Sequence, residues 1–353
     1  MNFGNQNNGL FGGGSTCVTC QCVTCCFQCG VEVPDSGCCS TVRCGANNCA
    51  SGSYSAALGG AFNTASGYYS TVSGGRYNTA SGYSSTVSGG ACNTASVYCS
   101  TVSGGYCNTA SGYYSTVSGG RCNTASNTYS TVSGGRYNTA SARSSTVSGG
   151  ACNTALGYCS TVSGGYCNTA SGYYSTVSGG IFNINSGVAS VISGGRCNTV
   201  TGNYATVSGG YCNTASGYAS FVATGQNNTA SGYRASVLSG SYNTASGDSS
   251  ASFGKGNISS GDFSTASGYY STASGIYSIA MGGTNKATGS TSVAIGRLNV
   301  ASCSCSIVLG EGITSNRDCT TFVNNLSIMN IPTSSAGLPS GAVWSNSGVL
   351  NIV

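Results

Sequence analysis

Asparagine stands at positions 48, 63, 78, 93, 108, 123, 138, 153, 168, 183, 198, 213, 228 and 243, every 15 residues without a slip. Glycine holds the same period from Gly45 to Gly240, and the register already begins at 36–45. After Gly240 the period shortens to 14, through Gly254, Gly268, Gly282, Gly296 and Gly310. Such a register is the mark of a stacked repeat, in which each unit buries its inner face against its neighbours. The unit reads Asn-Thr-Ala-Ser-Gly-Tyr-Tyr-Ser-Thr-Val-Ser-Gly-Gly-Arg-Tyr, and its two halves, N-T-A-S-G and S-T-V-S-G, sit seven residues apart. Each half suits a short strand that turns Ala or Val inward and closes on Gly, which supplies the positive φ of a tight corner. Fifteen residues are too few for a helical repeat, and Leu, Glu and Lys are scarce.

The expected fold is all-β, a parallel β-solenoid of 15- and then 14-residue coils. At about 4.8 Å per coil the stack would reach about 90 Å. Pro34, Pro332 and Pro339 lie outside the array, as they must if its N–H groups are committed to ladders. Four regions follow: a Cys-rich N-terminal assembly segment at 1–35, the 15-residue repeats at 36–247, the 14-residue repeats at 248–312 and a C-terminal β cap at 313–353. In the last, Leu326, Ile328, Met329, Ile331, Val343, Trp344, Val349, Leu350 and Ile352 concentrate apolar bulk, and 345–348 reads as a hairpin turn. Blocks of four coils repeat: 91–120 and 151–180 are nearly identical at an offset of 60.

Charged residues are only 5% of the chain, against roughly 25% in an average soluble protein. Histidine is absent, and no acidic residue lies between Ser36 and Gly247. The long middle therefore holds no carboxylate pair, Ser-His-Asp triad or His metal site. The expectation is a non-enzymatic chain without a cofactor. The +5 charge forms no run, so no nucleic-acid partner is expected. No apolar stretch approaches the roughly 20 residues of a membrane helix, and the N-terminus lacks a signal-peptide pattern.

Cysteine is the exception to this plain chemistry. Cys17, Cys20, Cys22, Cys25, Cys26 and Cys29 form three C-x-x-C units in a row. Such spacing admits thiolate zinc, inter-chain disulfides or reduced thiols. A knot of disulfides would join chains at this end of the stack, and Cys38, Cys39, Cys44 and Cys49 follow closely. In the repeats, Cys92, Cys107, Cys122, Cys152, Cys167, Cys197 and Cys212 share one column, just before Asn, with Phe62, Tyr77, Tyr137, Phe182 and Tyr242. That column reads as half-buried, with free Cys acting as a small hydrophobe. A second column holds only Cys39, Cys99 and Cys159. Cys92 with Cys99 and Cys152 with Cys159 are candidate disulfides; vertical pairs such as Cys92 with Cys107 compete. Cys303, Cys305 and Cys319 complete the disulfide candidates. Cytosolic assembly disfavours disulfides unless an oxidase is supplied.

Two further sets of columns face outward. Arg76, Tyr106, Arg121, Arg136, Tyr166, Arg196 and Tyr211 follow Gly-Gly, and guanidinium and aromatic faces together suit an acidic or sugar ligand such as a surface glycan. The competing expectation is a solvated face. Thr64, Thr79 and Thr94, with Thr71, Thr86 and Thr101, form flat hydroxyl arrays that raise ice binding as an alternative. The strands read T-A-S or T-V-S, which suits it poorly, and thermal hysteresis separates the two classes.

The units Ser278-Ile279-Ala280-Met281-Gly282, Ser292-Val293-Ala294-Ile295-Gly296 and Ser306-Ile307-Val308-Leu309-Gly310 resemble the S-x-A-x-G repeats of trimeric adhesin heads, the YadA-head-like or hemagglutinin-type repeats. The resemblance implies a left-handed β-roll, three chains about one axis and a surface-exposed fibre. The 15-residue variant and the tail 337–353 resemble fibre proteins of phages and large DNA viruses. The chain lacks the signal peptide, coiled-coil stalk and membrane anchor of the bacterial adhesins, which favours a virion fibre over a bacterial adhesin head. Self-association is the first partner expected, since one coil offers an interior only about one Ala and one Val; a dimer or helical filament would serve the same need. Other virion proteins would meet the chain at its N-terminus.

Overall fold

The computed structural model describes residues 37, 40–43, 45–325, 331–340, 342–346 and 349–352. They wind as a parallel β-solenoid of about 19 turns with no helix. No helix among the described residues is long and apolar enough to cross a membrane. Two units divide between Phe253 and Gly254.

In the first unit, up to Ala230, each coil carries two strands of two residues, for example Thr64–Ala65 and Thr71–Val72, and Ser236–Ser241 is the first longer strand. Each strand pairs in parallel with its equivalent one coil on: Thr64 with Thr79, Thr71 with Thr86. A third line of single parallel bridges joins Ala61, Arg76, Ala91, Tyr106 and their successors. Identical residues therefore stack in columns. Strand N–H groups donate to the following coil, as Thr64 N does to Asn78 O at 2.8 Å. Two corner residues in each coil donate the other way: Tyr77 N to Ala61 O and Tyr69 N to Ser53 O, both at 3.0 Å. To reach back they adopt φ of 56°. A side chain in that left-handed region costs about 1 kcal/mol, and the hydrogen bond to the preceding coil offsets it.

The interior is half polar. Asn63, Ala65, Ser70 and Val72 are all fully buried, and their equivalents along the unit are buried too, apart from the half-buried Ser40, Val42 and Asn48 of the first described coil. Ala and Val supply one small apolar group per strand, as the sequence predicts. Asn forms a ladder in which every polar atom is used. The Asn78 amide nitrogen Nδ2 donates to Gly74 O and Gly90 O, both at 2.9 Å. The backbone N–H of Asn78 donates to Asn63 Oδ1, and that of Asn93 to Asn78 Oδ1, each at 3.0 Å. This ladder ties three coils together at every step and fixes the period. One coil departs: Asn185 occupies the Ala column, buried, and donates to Thr176 O at 3.0 Å and Ser190 O at 2.9 Å.

In the second unit one strand of each coil lengthens to five residues: Thr265–Tyr269, Ile279–Gly283, Val293–Arg297 and Ile307–Glu311. Ala266, Ala280, Ala294 and Val308 point inward and meet Ala273, Ala287 and Ala301 in one core. Thr321–Val323 pairs on Ile307–Leu309, so the parallel ladder runs beyond residue 312. The hairpin read near the end of the sequence is present, with Val343–Asn346 antiparallel to Val349–Ile352. Its Val343 and Ile352 side chains are exposed. Leu326, Ile328, Met329 and 347–348 lie outside the described residues.

Candidate interaction site

The column after Gly-Gly comes together as read. Arg76, Tyr106, Arg121, Arg136, Tyr166, Arg196 and Tyr211 all lie on the single line of bridges. Tyr106, Tyr166 and Tyr211 are 42–49% exposed. Arg121 stands over the Tyr106 ring at 5.8 Å and over Tyr137 at 5.9 Å, Arg196 over Tyr211 at 5.8 Å, and Arg76 over Tyr77 at 4.8 Å. The guanidinium groups of Arg76, Arg121 and Arg196 are thus already engaged with ring faces. A second aromatic ladder, which the sequence reading did not single out, runs Tyr68, Tyr83 and Tyr98, with rings stacked at 5.4 and 5.2 Å. There the Tyr68 hydroxyl is pushed up to about 12, chiefly by its hydrogen bond with Tyr69.

The cysteines are placed by the same columns. Cys92, Cys107 and Cys122 occupy successive coils, as do Cys152 with Cys167 and Cys197 with Cys212. All are half-buried, in the left-handed corner before Asn. The Cys99 and Cys159 column is the other left-handed corner, and Cys305 and Cys319 hold the equivalent corner of the 14-residue coils; that column is therefore not confined to three cysteines. The described cysteines are free thiols, and none is at disulfide distance. Cys92 and Cys99 are unpaired within the chain because a strand, Thr94–Ala95, separates their corners; Cys152 and Cys159 are related in the same way by Thr154–Ala155. Among the described residues no group of three or more Cys, Asp or Glu is placed to hold a metal ion. Cys17, Cys20, Cys22, Cys25, Cys26, Cys29, Cys38, Cys39 and Cys44 lie outside the described residues.

Three thiols touch a phenol. Tyr106 hydrogen-bonds to Cys107, Tyr166 to Cys167 and Tyr211 to Cys212, and this contact is the main reason each hydroxyl sits above its usual range. Burial, with Cys152 one coil away, pushes the Cys167 thiol up.

The third feature was not read from the sequence as a surface. In the second unit Ile279, Val293 and Ile307 form one outward column, and Met281, Ile295, Leu309 and Val323 the next. Ile295, Ile307 and Leu309 are 37–39% exposed, so the sheet presents an apolar face to the outside. The corresponding outward positions of the first unit are mostly Thr and Ser, as at Thr71 and Ser73, with Leu58, Val191, Phe221 and Leu238 among the exceptions.

Family models match in three places. The YadA head domain repeat matches in two copies over 273–298, across this apolar face. The ubiquitous surface protein adhesin repeat matches 100–112 and 160–172, across the coils of Tyr106-Cys107 and Tyr166-Cys167. The grass antifreeze β-roll matches 185–282. No curated protein gives a significant match to the chain. The repeats and the coil geometry together fit a YadA-head-like repeat β-roll fibre.

Proposed function

We propose that the chain is a non-enzymatic fibre protein that self-associates as a homotrimer through the apolar face of its second unit and is displayed on a virion surface for attachment. The observation that carries the reading is the pair of columns Ile279-Val293-Ile307 and Met281-Ile295-Leu309. A flat sheet face of exposed aliphatic side chains is costly in water and marks an interaction surface. The two columns carry no charged side chain, the next outward position along the same strands being the Arg297–Glu311 ion pair, and the YadA head repeat matches across the strands of 279–283 and 293–297; the trimeric assembly that this resemblance implies supplies the occupant of the apolar columns, a second and third copy of the same face. Likeness to adhesin repeats supports display outside the cell. The likeness of the 15-residue units and tail to viral fibres supports the virion over a bacterial surface. Cross-linking through Cys17, Cys20, Cys22, Cys25, Cys26 and Cys29 is the finer part of the reading: native material should migrate as high-mass species that reductant collapses.

Replacing Ile295 and Leu309 together by Glu should convert the assembly to monomers at low micromolar concentration. Burying like charges at a two- or three-fold contact costs several kcal/mol. Native mass measurement reads the result, and a β-rich circular dichroism spectrum shows that the coils persist. An unchanged mass would move the interface elsewhere.

Ice binding is favoured by one observation, the antifreeze β-roll match. Within that stretch the outward Thr columns are interrupted by Val191, Phe221, Ser236, Ile258 and Ile279. A broken hydroxyl array supports the reading less well than the continuous apolar face supports association.

A further inference from the structure

We propose that the vertical cysteine pairs of the first unit bind a soft monovalent cation of the Cu(I) class, one per pair, in a linear sulfur–metal–sulfur bridge between adjacent coils. The sites are Cys92 or Cys122 with Cys107, Cys152 with Cys167, and Cys197 with Cys212.

Equivalent residues stack in register, so their side chains are separated by about one coil, about 4.8 Å. The same column shows this directly: the Phe62 and Tyr77 rings stack at 4.8 Å, tilted by only 18°. Two metal–thiolate bonds of about 2.3 Å end to end span about 4.6 Å. A disulfide asks for something else, a Cβ separation of about 3.5–4.5 Å, which parallel side chains one coil apart exceed. The pairs accordingly stand as free thiols. With two sulfurs and no third Cys, Asp or Glu in range, tetrahedral zinc is not served. Cu(I), which thiolates select, accepts two ligands.

Charge and hydrogen bonding complete the site. Binding releases one proton from each thiol to solvent as each sulfur–metal bond forms, leaving a bridge with net charge −1. At each site a phenol stands beside one sulfur, which raises the hydroxyl above its usual range: Tyr106 beside Cys107, Tyr166 beside Cys167, Tyr211 beside Cys212. Each site also has an arginine to balance the charge. Arg121 and Arg196 lie over the Tyr106 and Tyr211 rings, and Arg136 acts electrostatically on Tyr166. The left-handed corner tolerates polar substitutes, since Asn47 and Asn227 occupy it. Cys305 with Cys319 has the spacing but faces Asp318 instead of an arginine, so it should bind more weakly.

The test compares two full-length variants, each lacking three thiols. Cys107→Ser with Cys167→Ser and Cys212→Ser breaks every pair. Cys49→Ser with Cys99→Ser and Cys159→Ser leaves every pair intact. Both are reduced without oxygen, titrated with Cu(I) supplied as its acetonitrile complex, and challenged with a chromogenic Cu(I) chelator. The pair-breaking variant should retain three fewer equivalents than the wild type; the control should retain the same number. X-ray absorption of the difference should show two sulfur neighbours. Thermal melts without metal should match, which shows that the loss is not unfolding. Equal copper retention by both variants, or loss that follows total thiol count, would overturn the proposal. A Cys152–Cys167 disulfide in protein purified in air would overturn it as well.

Discussion

Alanine at Gly135 should disrupt the solenoid, while alanine at the adjacent Gly134 should be tolerated. Gly135 has φ of +84°, and a Cβ there would lie 2.1 Å from Gly150 O and 2.5 Å from Asn138 Nδ2. Gly150 O accepts from both Arg136 N and Asn138 Nδ2, each at 3.0 Å. The methyl group would displace the acceptor that two donors share. The strained φ adds about 1 kcal/mol, and each stranded buried group about 1–3 kcal/mol, for a total on the order of 3 kcal/mol or more. A Cβ on Gly134 would meet nothing within 4 Å. Hydrogen exchange should show Arg136 and its neighbours opening in Gly135→Ala only. Equal protection in the two variants would show that the corner yields to a methyl group.

Asn138→Ala should cost on the order of 3–5 kcal/mol, summed from the buried groups left unpaired and the space vacated. Asn138 Nδ2 donates to Gly134 O at 2.8 Å and Gly150 O at 3.0 Å, and its Oδ1 accepts from Asn153 N at 3.0 Å. The contrasting case is Asn185→Ala. Asn185 is equally buried, but it stands where the other coils carry Ala or Val, so its removal restores a packing that the unit already uses. A loss of under about 1 kcal/mol is expected there. Unfolding of a repeat array is not strictly two-state, so local amide exchange at Asn153 is the cleaner readout than a global midpoint. Similar exchange in Asn138→Ala and Asn185→Ala would show that burial alone, and not the ladder, sets the cost.

The period made the fold legible. A 15-residue register admits no helix pair, and the Ala and Val of T-A-S and T-V-S are the inward residues, at Ala65 and Val72. The second Gly of Gly-Gly is a further positive-φ corner, as at Gly75. What escaped was polar. Asn and Ser are expected at surfaces, and only the stacked geometry gives the Asn78 side chain two carbonyls and a neighbouring N–H to pair with. The unbroken run of Asn was the available signal, because a solvated column tolerates exchange as freely as the Arg, Tyr and Ala positions do. The two left-handed corners filled by Tyr, Phe and Cys were also hidden, since these residues rarely take positive φ. The apolar face escaped for another reason: in Ser-Ile-Ala-Met-Gly the inward residue is the small Ala280, and the larger Ile279 and Met281 turn outward. Hydrophobic residues in an alternating strand are ordinarily read as core, and here the order is reversed.

Self-association through that face is the central claim, and the native mass of the full-length chain under reducing conditions tests it most directly. A single species at three times the 34.7 kDa of one chain is expected, unchanged on dilution to low micromolar concentration. A stable species at the mass of one chain would contradict it.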